Sequence, residues 1–179
     1  AFIGGQVDSL LMELVNIWLT IPKFPLLAVL ATVVKLGDPL TFSLLMAILD
    51  WPSLARQVRS QVLSLRKRDF VMAVEALGGS STYNMFMTVL PNSWSPILVQ
   101  VVILSSVAIL LEAALSFFGL TAPDVASWGK MLNSGQRFYY QAWWLSVFPG
   151  LAILITVLAF NILGDCVSDA FNPRMQDRK

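Results

Sequence analysis

An all-α protein that crosses a membrane several times is what this sequence predicts, and three observations predict it. Hydrophobic residues fill 56% of the 179 positions and charged residues 13%, about half the charged share of an ordinary soluble domain. Mean hydropathy is +0.70. Several apolar stretches are long enough for a bilayer, which takes about 20 helical residues.

Four spans can be drawn. The first runs from about Val7 to Val34. Its early part, "VDSLLMELVNIWLTIP", is amphipathic, and Pro22 and Pro25 then predict a kink or break. The second runs from about Pro39 to Val58 and contains "DWP" at Asp50 to Pro52. The third, from about Trp94 to Phe118, has no break. The fourth, from about Ala142 to Leu163, carries Pro149 and Gly150 near its start.

Basic residues orient the spans, because loops on the cytoplasmic side carry the excess of lysine and arginine. Arg56, Arg59, Arg66, Lys67 and Arg68 lie between spans two and three, and Arg174, Arg178 and Lys179 follow span four. The opposite loops hold Lys35, Lys130 and Arg137. The C-terminus is therefore expected in the cytoplasm and the loop from Thr121 to Gln141 outside. In that loop "SWGKMLNSG" predicts a short helix with Ser127 as N-cap and Gly135 as terminator. The aromatics of "FYYQAWW" suit an interfacial belt better than a ligand cage.

The loop between spans two and three has structure of its own. Asp69 can N-cap a helix in which Phe70, Ala73, Val74 and Leu77 form an apolar face. Gly78 stands where a left-handed terminator belongs. A helix of about two turns is marginal alone, so it must dock. Two surfaces could receive it: lipid headgroups or the protein's own loops, or a groove on a cytoplasmic partner.

Residues 72–91 resemble the cytoplasmic loop of ABC-importer permease subunits, whose pattern is E-A-A-x3-G-x9-I-x-L-P. Met72-Ala73-Val74, Gly78 and Thr88-Val89-Leu90-Pro91 fall in that register. "GGQVDSLLMELVNIWLTIP", "WPSLARQVRSQVLSL", "LPNSWSPILVQ", "LEAALSFFGL", "SWGKML" and "FPGLAILITVLAFNILGD" are similar to segments of the oligopeptide/dipeptide permeases. The resemblance extends over nearly the whole chain.

The resemblance implies a type I ABC-importer permease fold, with two spans and an external loop preceding Ala1. Residues 1–166 would form the transmembrane domain, 69–78 the coupling helix within it, and 167–179 a cytoplasmic tail. The coupling helix would dock in a cleft of an ATPase subunit. Its coupling residues would be Phe70, Met72, Ala73, Val74, Glu75, Leu77, Gly78, Leu90 and Pro91. The implied partners are a second homologous permease subunit, two cytoplasmic ATPases, an extracytoplasmic solute-binding protein and the lipids of a prokaryotic cell membrane. The solutes would be di- or oligopeptides, with oligosaccharides or nickel complexes as the alternative. ATP and Mg would be bound by the ATPases, with no cofactor in this chain. Met72, Val74 and Thr88 depart from the pattern, and Met72 stands where the family has glutamate. Glu75, one turn on, is expected to supply that acid.

Acids inside the spans stand out, since intramembrane charge is costly and is a default functional candidate. Asp50 with Trp51, and Glu112, are candidates for the translocation path. Asp50 could equally be satisfied by a neighbouring helix, and Glu112 could anchor the outer loop. Asp165 closes span four near the interface, beside Asn161. Ser105, Ser106, Ala108, Ala113 and Ala114 suit close helix packing.

Other function classes fit poorly. Net charge is +1, which gives no field for nucleic acid. There is no histidine for a serine or zinc protease and one cysteine, Cys166, so no intrachain disulfide. No G-x-x-x-x-G-K-[ST] phosphate loop occurs, so ATP hydrolysis is expected in another chain. Asp38, Asp50 and Asp165 could only formally make an aspartyl pair, because Asp38 and Asp165 fall at opposite ends of their spans. A stand-alone channel or secondary transporter remains a remote alternative. No catalytic or metal-binding residue is expected.

Overall fold

A computed structural model describes residues 5–34, 38–121 and 124–171. Among them there is no strand. The helices are α1 (Gly5–Leu19), α2 (Lys23–Val33), α3 (Pro39–Leu65), α4 (Asp69–Ala76), α5 (Ser81–Tyr83), α6 (Leu90–Asn92), α7 (Trp94–Phe117), α8 (Trp128–Gly135) and α9 (Trp144–Ala170). A π-helical turn (Asn84–Val89) joins α5 to α6, and a 3-10 turn (Gln136–Phe138) follows α8.

Proline explains the break in the first apolar segment. Pro22, at φ −69°, precedes α2 as its N-cap. Pro25 breaks nothing: it lies in the first turn of α2, where the missing N–H would have no helical acceptor. Pro52 and Pro149 sit within continuous helices.

α7 and α9 are each long and apolar enough to cross a membrane, and α1 with α2 meets the same standard as one broken span. The second expected span does not meet it. α3 has the length, but Asp50, Arg56 and Arg59 lower its apolar content. α3 also runs beyond Val58 to Leu65, so Arg56 and Arg59 sit on a helix rather than in a loop. α9 likewise continues to Ala170, past the boundary drawn at 166. Residues 172–179, most of the expected tail with Arg174, Arg178 and Lys179, lie outside the described residues, as does Lys35. Large side chains such as Leu110, Leu154, Ile155 and Ile162 are exposed along α7 and α9. Lipid tails accept such a surface as readily as a protein core does.

The chain divides into two compact units. The first takes its described residues from Ala1–Thr20, Trp51–Val101 and Gly164–Lys179. Within it Arg59 grips Asp8 with two nitrogens, Nη2 at 2.9 Å and Nε at 3.2 Å from Oδ2. Arg56 donates to Asn16 Oδ1 at 2.8 Å. These contacts pin α1 to the second half of α3. Val71 and Val89 form a small buried core, with Val62, Leu65 and Met85 packed on it.

The second unit comprises Ile21–Asp50 and Val102–Leu163. Leu27 and Leu115 are fully buried there, and the rings of Phe24 and Phe118 meet at 5.7 Å. Ser106 Oγ donates to Asn161 Oδ1 at 3.4 Å, a polar link between α7 and α9. α8 begins as expected: Ser127 Oγ accepts from the Lys130 N–H at 3.2 Å. α8 also ends at Gly135 as expected, but not through a left-handed residue: Gly135 is at φ −65° and the chain passes straight into the 3-10 turn. Its role is contact, since a Cβ there would meet Ser146 Oγ at 2.7 Å. Gly129 is needed for the same reason, because a Cβ would collide with the Ala113 carbonyl. Phe138, Tyr139, Tyr140, Trp143 and Trp144 are all exposed, as an interfacial belt requires.

Candidate functional site

The region of interest starts where α3 ends. Exposed Arg66, Lys67 and Arg68 lead into α4. Arg68 occupies the N-cap position with extended φ/ψ, and no side chain caps the helix. Asp69 is thus the first helical residue rather than the cap expected of it. Its carboxylate still suits that place, since the amino end of a helix carries partial positive charge.

The far end of α4 follows the expected pattern closely. Gly78 has φ +86°. Its N–H bonds the Glu75 carbonyl and the Gly79 N–H bonds the Val74 carbonyl, each at 3.0 Å. This pair of bonds is a Schellman motif, and it satisfies carbonyls that the helix end would leave open. Gly79 is constrained too, because a Cβ there would meet the Val74 side chain at 2.7 Å.

The two faces of α4 differ from the sequence expectation. The buried contact is made by Val71, at 0% exposure, with Val74 partly covered. Phe70, Ala73 and Leu77 form the opposite ridge, and Leu77 is 89% exposed. Met72 and Glu75 are exposed beside it. The helix therefore roots itself through valine and leaves an apolar ridge uncovered within this chain.

Leu90 and Pro91 lie beyond the turn that follows α4. Ser80 Oγ caps α5 by accepting from the Tyr83 N–H at 3.2 Å. The backbone then widens into the π turn, in which the Leu90 N–H bonds the Met85 carbonyl, five residues back. Pro91 offers a reason: it has no N–H and its ring crowds the carbonyl four residues earlier, so local rewinding is favourable. Leu90 and Pro91 are both exposed.

Asp50 and Glu112 both have partners. Asp50 is 6% exposed and makes an ion pair and hydrogen bond with Lys23 at the start of α2. Trp51 is half exposed. Glu112 accepts from Ser116 Oγ at 2.6 Å, and that hydroxyl lies 2.8 Å from Thr121 Oγ1. Glu112 lines a cleft of ≈ 590 Å³ together with Asp38, Phe42, Trp128 and Met131. Asp38 Oδ2 accepts from the Thr41 N–H at 3.3 Å at the start of α3. Asp165 is exposed on α9. Among the described residues no group of acids and cysteines is arranged to hold a metal.

Comparison with known proteins decides the family. The model of the binding-protein-dependent transport system inner membrane components matches residues 1–177. The chain belongs to that family. This family member is 40% identical over 177 residues, 98% of its length, to the dipeptide transport system permease protein DppC of Alkalihalophilus pseudofirmus. It is 38% identical over 178 residues to the di/tripeptide transport system permease protein DppC of Pseudomonas aeruginosa. It is 38% identical over 170 residues, 93% of its length, to the dipeptide transport system permease protein DppC of Escherichia coli. The chain spans 58%, 58% and 56% of the lengths of these relatives. This family member is a membrane-embedded, polytopic α-helical transport-system component.

Two features of the region are created by the fold and have little counterpart in local sequence. Lys23 and Asp50 are far apart in sequence, and only the return of α3 beside α2 joins them. Asn84 opens the π turn that follows α5. Its side chain is fully buried, and Nδ2 donates to the Val71 carbonyl at 3.2 Å. The local signal is weak, because Asn84 follows the polar run Ser80-Ser81-Thr82 and Tyr83 and reads as its last member before Met85-Phe86-Met87.

Proposed function

We propose that this permease is the membrane-spanning subunit of an ATP-driven importer that passes di- and oligopeptides delivered by an extracytoplasmic binding protein. A second permease subunit completes the path, and two cytoplasmic ATPases bind ATP and Mg. The C-terminus lies in the cytoplasm, on the side of α4. In this reading α4 docks in an ATPase cleft and carries its closure into the spans. Alternating access then follows from rocking of the two permease subunits. The peptide-transport names of the relatives support the substrate class.

The observation that carries this reading is the outward ridge of Phe70, Ala73 and Leu77 on a helix rooted by Val71. A short amphipathic helix with its free apolar face in water favours a groove. The test is copurification. With the complete transporter coexpressed, Phe70→Asp/Leu77→Asp should lose most of its ATPase subunits during purification. Retention of both ATPases at the native ratio would overturn the docking assignment.

Glu75 supplies the acid for that contact, next to Met72 on the exposed side. Glu75→Lys should lower ATP-driven peptide uptake by about fivefold or more, while Glu75→Asp should retain most of it. Equal uptake by the two variants would remove Glu75 from the contact.

A further inference from the structure

We propose that Asn84 is the positioning residue that locks α4 to the helical segment leading into α7, so that displacement of α4 moves that segment with it. This rests on the coupling reading above and names the residue through which the coupling passes. The Asn84 side chain has 0% exposure, and its Nδ2 donates to the main-chain carbonyl of Val71 at 3.2 Å. That carbonyl belongs to the first turn of α4. The bond therefore ties a side chain of the π turn to the backbone of the docking helix, and not to another side chain that could swing away.

What lies on either side of the bond makes it a transmission point. On one side, Val71 is the residue by which α4 is rooted, packed on Val89 with Val62, Leu65 and Met85 around them. On the other, the backbone stays helical from Ser81 to Asn92 and resumes at Trp94. The single turn residue between, Ser93, is fully buried, and its Oγ donates to the Val89 carbonyl at 2.8 Å. Asn92 Nδ2 adds a bond to the Thr88 carbonyl at 2.6 Å. Val71 is thus tied to Asn84 by a hydrogen bond and to Val89 by packing, and the Val89 carbonyl in turn accepts from Ser93 Oγ.

Asn84 is a poor choice for stability alone. Among the described residues its Oδ1 is buried with no hydrogen-bond partner. An apolar side chain of similar volume would fill the site without that unsatisfied acceptor. What an apolar residue cannot supply is a directional bond that fixes the register of α4 against the π turn. Buried polar groups are retained for such specificity in several systems, and π turns recur at functional positions.

The test uses the complete transporter in liposomes, with dialanine delivered by its binding protein. Asn84→Leu and Asn84→Met are compared with the native chain. Subunit ratio, thermal midpoint, ATP hydrolysis and dialanine imported per ATP are measured. We expect native assembly and an unchanged or raised thermal midpoint, with import per ATP falling by at least about fivefold. Native import per ATP in either well-assembled variant overturns the proposal. So does loss of assembly or midpoint in both, since Asn84 would then be a packing residue. Failure of the coupling reading itself is seen separately, as ATPases that stay bound to Phe70→Asp/Leu77→Asp.

Discussion

Replacing Lys23 by methionine leaves a protein that fails to accumulate in the membrane, whereas Lys23→Met/Asp50→Leu restores much of the lost material. The asymmetry follows from burial. Asp50 is 6% exposed and Lys23 is its ion-pair partner. Removing Lys23 strands the buried Asp50 carboxylate, at a cost of about 3–5 kcal/mol, whereas Asp50→Leu leaves a lysine that is already partly exposed and costs less. The former is a large part of a total stability of about 5–15 kcal/mol. Removing both members leaves an apolar surface, which lipid or a neighbouring helix accepts at little cost. The measurement is the thermal midpoint and yield in detergent for Lys23→Met, Asp50→Leu and the double variant. Additive losses would contradict the pairing. The pair also recasts Asp50 as a candidate for the translocation path. An acid already neutralised by α2 is held in place, and it contacts a solute only if the solute competes with Lys23.

A graded series at Gly78 has the second large effect. The residue sits at φ +86° with open space around it, so strain comes from the backbone and not from crowding. A left-handed conformation costs an ordinary L-residue about 1–2 kcal/mol, and β-branching makes it worse. Gly78→Asn should be mild, Gly78→Ala intermediate and Gly78→Val severe. The helix would lose its Schellman bonds, so Leu77 and the rest of the ridge would no longer be presented as one face. On the proposed coupling, import per ATP falls in the same order, while the spans still insert. Equal coupling in Gly78→Asn and Gly78→Val would remove the left-handed turn from the mechanism.

The α4 terminator could be read from sequence because a positive φ is a local demand that glycine alone meets cheaply. The span of α7 was equally legible, since an unbroken apolar run of that length has few alternatives. Ser127 was legible as a cap for the same kind of reason. The docking face of α4 was harder. Phe70, Ala73, Val74 and Leu77 satisfy helical periodicity, yet Val71 is the buried residue. Periodicity identifies an apolar stripe without naming the neighbour, and a helix carrying two apolar stripes can turn either inward. Asp69 shows a similar limit. Asp69 and the extended Arg68 before it shift the helix start by one residue, which composition cannot resolve.

Local chemistry in the chain thus settled the membrane class, the helical segments, the terminator at Gly78 and the absence of a phosphate loop. Each of these depends on residues adjacent in sequence or on composition. The Lys23–Asp50 pair, the rooting of α4 through Val71 and the buried bond from Asn84 arise differently. They join residues from separate helices, and their energies depend on burial and on distance across the fold. A sequence lists the charges and amides available, but only packing removes them from water and makes their pairing matter.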